Sequence, residues 1–121
     1  MKRFIVALLP ASSLLGVTTV SLHAAELEIV NTSTKSIFEL YVAPVGGGKG
    51  KWGPDRLIAQ KPDGIAPGRA HTVAALASGA YDLRLIDSED RTCEIFALEI
   101  DKTHRLDLTE AKLDECAQES H

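Results

Sequence analysis

Between residues 26 and 108 the chain passes through six short apolar stretches that read as strands, several with apolar and polar residues alternating, and no long amphipathic helical run lies between them. Alternation with a period of two puts every second side chain on one face, which is the pattern of a half-buried strand. The clearest case is Ala80-Tyr81-Asp82-Leu83-Arg84-Leu85-Ile86: Tyr81, Leu83 and Leu85 share one face, Asp82 and Arg84 the other. A sheet with one apolar face has to cover it with a second layer. The chain is therefore expected to be all-β, a small antiparallel β-sandwich of six to seven strands, with a small open barrel as the alternative closure.

The expected strands cover residues 26–30, 36–42, 70–76, 80–86, 92–100 and 104–108. Asn31-Thr32-Ser33-Thr34-Lys35 has the composition of a turn, so the first two strands are expected to form an antiparallel hairpin. Asp87-Ser88-Glu89-Asp90 reads as a hairpin turn, and Phe96, Leu98 and Ile100 fall on one face of the long strand that follows. Pro44 ends the second strand, and Pro54 with Asp55 favours one helical turn, because Pro suits a first-turn position and Asp the positive helix end. After Thr109 a short helical or irregular tail is expected, tied back by Cys116.

The start of the chain has a different character. Lys2 and Arg3 precede an apolar run from Phe4 to Val20, and small residues follow at Ala24 and Ala25. That order is the signature of a cleaved secretory signal peptide. Pro10, Ser12, Ser13, Thr18 and Thr19 dilute the run, which is already near the lower limit of about 17 residues for a membrane span. Residues 1–24 are thus expected to be removed, with cleavage after Ala24 or Ala25, leaving a single domain over 25–121. The mature protein is expected in the periplasm, with no membrane association. Loss of Lys2 and Arg3 turns 13 basic against 17 acidic residues into 11 against 17, a net charge of −6. Nucleic acid and anionic membranes select basic surfaces, so neither is an expected partner.

Cys93 and Cys116 are the only cysteines. An even pair in an exported chain reads as a disulfide, which would contribute about 3 kcal/mol by constraining the unfolded chain. Two free thiols are the alternative.

Trp52-Gly53-Pro54-Asp55-Arg56-Leu57 holds the one tryptophan and follows the run Gly46-Gly47-Gly48-Lys49-Gly50-Lys51. With Leu27-Glu28-Ile29-Val30-Asn31 and Leu40-Tyr41-Val42 before it, and Ile65-Ala66-Pro67-Gly68 and Tyr81-Asp82-Leu83-Arg84 after it, the chain resembles small uncharacterised exported, periplasmic proteins of Gram-negative bacteria. The resemblance implies an exported β domain and supplies no reaction. Those relatives often carry a cysteine just before Tyr-Asp-Leu-Arg; here Ser78-Gly79-Ala80 stands in that place, so their cysteine pairing does not carry over.

Several chemistries fail on spacing. His71, His104 and His121 never stand at a ligand-pair spacing, and no Cys-x-x-C is present. A calcium loop from Asp87 would need Gly where Thr92 stands and Glu where Leu98 stands. The glycine run lacks the Gly-Lys-Ser/Thr of a phosphate loop. No Gly-x-Ser-x-Gly marks a nucleophile. No catalytic residue, cofactor or metal is expected.

The candidate residues that remain are Trp52, Asp55, Arg56, Tyr81, Asp82 and Arg84. One account makes Trp52 a plug over the sandwich edge, with Asp55 paired to Arg84 or Arg56 to Asp82. The other makes it an exposed aromatic anchor for a partner. The expected function is a non-enzymatic binding or structural module for a protein or peptide. An inhibitor of an exported hydrolase, a lysozyme or protease, is the alternative, and a small hydrolase stands behind both.

Overall fold

The computed structural model describes residues 24–47 and 50–119. The expected signal peptide, apart from Ala24, lies outside the described residues, as do Gly48, Lys49 and His121. The six expected strands all form: β1 (Ala24–Asn31), β2 (Ile37–Pro44), β3 (Ala70–Ala77), β4 (Gly79–Asp87), β5 (Thr92–Ile100) and β6 (Thr103–Leu108). A short 3-10 helix at Ile58–Gln60 and the helix α1 (Glu110–Glu119) complete the fold. The tail is thus helical. Among the described residues no helix is long and apolar enough to cross a membrane.

The strands make two three-stranded sheets, β3-β1-β6 (sheet A) and β2-β4-β5 (sheet B). All pairings are antiparallel except β1 with β6, which is parallel. The two sheets pack face to face as a sandwich. Leu27 and Ile29 of sheet A meet Leu40, Leu83 and Leu85 of sheet B in one core, each at most 1% exposed. Burying a leucine of this kind contributes roughly 2 kcal/mol.

The expected hairpin of the first two strands does not form. β1 pairs with β3 and β6, while β2 pairs with β4 in the other sheet. The cause lies at Asn31, whose side chain is fully buried. Its Nδ2 donates to the carbonyls of Lys35 (2.7 Å) and Ile65 (2.8 Å), and its Oδ1 accepts from Ser33 N (3.0 Å) and Oγ (2.7 Å). These bonds wrap residues 32–36 into a crossing from one sheet to the other. Of the consecutive strands only β4 and β5 pair as a hairpin, across the Asp87–Asp90 turn.

β5 carries a second correction. Leu83 faces Ile95 and Tyr81 faces Leu98, so Asp82 alone lies opposite both Phe96 and Ala97. That is a β-bulge, with Ala97 at φ 56°. The extra residue reverses the alternation: Ile95 and Leu98 pack against the core, while Phe96 turns outward and is 61% exposed. Phe96 does not share a face with Leu98 and Ile100.

α1 lies against β5 and closes that side of the sandwich. Cys93 and Cys116 form the disulfide that joins them. Leu113, 2% exposed, enters the core, and Asp114 of the helix accepts from Arg91 Nη1 at 2.9 Å. Arg91 Nε in turn binds the buried Asp87 at 2.9 Å.

Candidate functional site

The Trp-Gly-Pro-Asp-Arg-Leu stretch divides its six residues between two jobs. Asp55 and Leu57 are structural. Asp55 Oδ1 accepts the amide protons of Leu40 (3.0 Å) and Leu57 (2.9 Å), and Arg56 N donates to Leu40 O at 2.7 Å. The stretch therefore occupies the outer edge of β2, whose backbone would otherwise be unpaired. Leu57, with no exposed surface, is the plug in the core. Asp55 Oδ2 also lies 3.5 Å from Lys61 Nζ.

Trp52 is not that plug. It sits half-buried, with Lys51 Nζ 5.0 Å and Arg84 Cζ 5.3 Å from its ring centre. Arg84 belongs to the outer face of sheet B, so Trp52 lies against that face. Cations over an indole ring are held by its negative π-face, and Trp provides the strongest such site.

Each cation is also bound to an acid of sheet B. Arg84 Nε donates to Glu94 Oε2 at 3.0 Å, directly across the β4–β5 ladder. Lys51 Nζ donates to Asp82 Oδ2. Asp82 is 4% exposed, and its other oxygen accepts the bulge amide of Ala97 at 2.9 Å. Lys51 first, and then the Ala97 amide, hold the Asp82 carboxyl below the ordinary carboxylate range. One chain of contacts runs from Glu94 through Arg84, Trp52, Lys51 and Asp82 to the β5 bulge.

Tyr41 stands opposite Arg84 on β2 and extends the same face. Its hydroxyl donates to Glu39 Oε1. That bond, with burial and the neighbouring Glu39 and Asp55 charges, pushes the phenol up to about 12.

The six candidate residues thus separate. Trp52, Asp82 and Arg84 come together on sheet B. Tyr81 points the other way, 8% exposed in the core, with its hydroxyl donating to Ala77 O at 2.6 Å. Asp55 faces the backbone of β2 and of its own loop at Leu57, and the Arg56 side chain is exposed with no partner among the described residues. Neither expected ion pair forms, because the Asp55 and Asp82 carboxylates are taken by backbone amides and lysines. Sequence reading missed Lys51, Glu94, Tyr41 and Glu39. Tyr41 and Glu39 could have been found by their alternation with Leu40 and Val42; Lys51 and Glu94 carried no signal.

His71 and His104 sit on β3 and β6, with β1 between them. Burial lowers the His71 imidazole. Among the described residues no three metal-binding side chains gather. No protein-family model matches the chain, and no curated protein or solved structure matches it either.

Proposed function

We propose that this protein is a non-enzymatic binding module, exported to the periplasm, that engages a protein or peptide through the outer face of sheet B. The observation that carries this reading is the gathering of Trp52, Tyr41 and Arg84, from a loop and two strands, on one solvent-facing side of a sheet. Trp, Tyr and Arg dominate the binding energy of interfaces. The ion pairs with Glu94 and Asp82 hold the group in place before any partner arrives, which lowers the ordering cost of binding. Export is supported by the Cys93–Cys116 bond, since such bonds persist in oxidising compartments.

The test is recovery of partners from a periplasmic extract, followed by affinity measurement with the purified partner. Trp52→Ala should weaken binding at least about tenfold, the loss of one hot-spot anchor, whereas Thr72→Ser on β3 should leave it unchanged. Equal affinities for wild type and Trp52→Ala would refute the reading. If the recovered partner is a lysozyme or protease, slowing of its turnover would make the module its inhibitor.

A further inference from the structure

Each sheet has two outer strands, and three of the four are closed or guarded. Along β2 the chain covers its own edge, with Asp55 and Arg56 bonded to Leu40 and Ile65 bridged to Ile37. β5 lies against α1 and is pinned there by the Cys93–Cys116 bond. β6 carries the exposed charges of Arg105 and Asp107, and charge on an outer strand keeps it from pairing with another chain. The start of β3 has none of these devices. From Ala70 to Tyr81 the chain holds no Asp, Glu, Lys, Arg or Pro, and Ala70, Thr72 and Ala74 are small and exposed.

The backbone of this edge is open. Arg69 O accepts from Asn31 N at 2.8 Å, towards β1, and main-chain groups alternate sides along a strand. Those of Ala70 and Thr72 therefore point away from β1, which among the described residues is the one strand that β3 pairs with. A bulge bounds the run. Leu27 faces Val73 and Ala25 faces Leu76, so Glu26 lies opposite both Ala74 and Ala75, with Ala75 at φ 60°. The straight part of the edge is residues 70–74.

Charge selects what can lie along it. The chain is acidic, with net charge −4, or −6 without Lys2 and Arg3, so two copies repel wherever their acids meet. This edge has no acid of its own. Glu28, beside Thr72 on β1, is faced by Arg105 on its other side. Arg69, at the start of the edge, is exposed with no side-chain partner among the described residues. We infer that β3 is a self-association edge, along which a second copy of this chain pairs antiparallel about Thr72. Thr72 then stands opposite Thr72, Ala70 opposite Ala74 and His71 opposite Val73, a self-complementary set in which Thr–Thr pairs add to the backbone bonds. The two-fold uses up both open edges, so the assembly stops at a dimer. Opposite residues of paired strands share a face, so both Trp52 clusters look the same way and the binding reading above becomes bivalent. The pairing itself does not depend on that reading.

Sedimentation equilibrium of the disulfide-bonded protein, from micromolar to millimolar concentration, is the test. The expected result is a reversible dimer, weak because five residues a side fall short of the roughly 20–30 a side of a stable interface. Added salt should favour it by screening the net charge. Thr72→Lys sets like charges opposite each other and should weaken it about tenfold, equivalent to about 1.4 kcal/mol. Thr103→Lys on β6, with the same added charge, should not weaken it. Both positions are exposed, so folding should not be at risk. Thr72→Cys should cross-link two copies on oxidation, since directly paired residues lie about 5.5 Å apart, within disulfide reach; Ala77→Cys, beyond the bulge, should not. A monomer at every concentration, a dimer that salt dissociates, or one that tolerates Thr72→Lys would overturn the inference. Trp52→Ala should leave the dimer intact, so failure here and failure of the outer-face reading stay distinct. A dimer lost with Trp52→Ala alone would place self-association on sheet B and overturn the β3 edge.

Discussion

Asp55 caps Leu40 across the outer edge of β2: one carboxylate oxygen accepts the Leu40 amide at 3.0 Å and, at 2.9 Å, the amide of Leu57 two residues ahead. The same contact stops a strand edge from accepting a stranger and swings Leu57 into the core. The motif's aspartate and leucine are thus a paired structural device, and its tryptophan faces another way.

Asp55→Ala should lower the unfolding free energy by about 3 kcal/mol, because bonds to an ionised acceptor are strong and two backbone donors lose their partner. Asp55→Asn keeps an acceptor oxygen and should cost about 1 kcal/mol. Urea unfolding measures both; equal losses would show that charge, not the capping geometry, matters here.

Leu57→Ala should cost about 2–4 kcal/mol through a cavity, and Trp52→Ala less, about 1 kcal/mol. The order is the informative part, since the larger residue is only partly buried while Leu57 has no exposed surface. Denaturation midpoints of the two variants decide it, and a greater loss at Trp52 would return that residue to the core.

Gly64 has φ +62°, and a Cβ there would stand 2.0 Å from the carbonyl oxygen of Ile37. Gly64→Ala must push apart the Ile37–Ile65 bridge, and should cost about 3 kcal/mol or more. Gly53→Ala, at φ +67° with nothing within 4 Å, should cost only the left-handed backbone penalty of about 1–2 kcal/mol. Thermal unfolding of the pair separates contact from conformation.

Glu110 links the start of α1 to the β1–β2 crossing. It accepts from Thr34 Oγ1 (2.6 Å) and N (2.8 Å) and from Lys35 Nζ (3.2 Å). These donors, Thr34 foremost, pull its carboxyl from 4.5 to about 2. The unfolded chain therefore takes the proton first, and the stability from this carboxylate is whole above pH 4.5 and lost as pH falls towards 2. Comparing wild type with Glu110→Gln across this range should show two stability curves that converge on acidification. Parallel curves would remove Glu110 from the acid response.

The strand positions were legible because alternation is a local property: Tyr81, Leu83 and Leu85 declare their face whatever they pair with. The bulge at Ala97 was not legible, since one added residue inverts the pattern without altering composition, and Phe96 was assigned to the wrong face in consequence. Among the candidate site residues, Trp52, Asp82 and Arg84 do share a surface. Their partners did not follow from sequence: Lys51 reaches Asp82 only once the loop has folded over sheet B, and Glu94 meets Arg84 only through the bulged register of β4 with β5.

By itself the sequence determined an all-β chain, its six strands and a pair of cysteines able to bond. Tertiary structure decided which strands share a sheet, which acid meets which cation, and that Leu57 rather than Trp52 fills the core. The reason is one of range. A side chain's tendency to be buried acts at its own position, whereas pairing depends on where a buried Asn31 turns the chain and which backbone donors are left for Asp55 and Asp82 to satisfy.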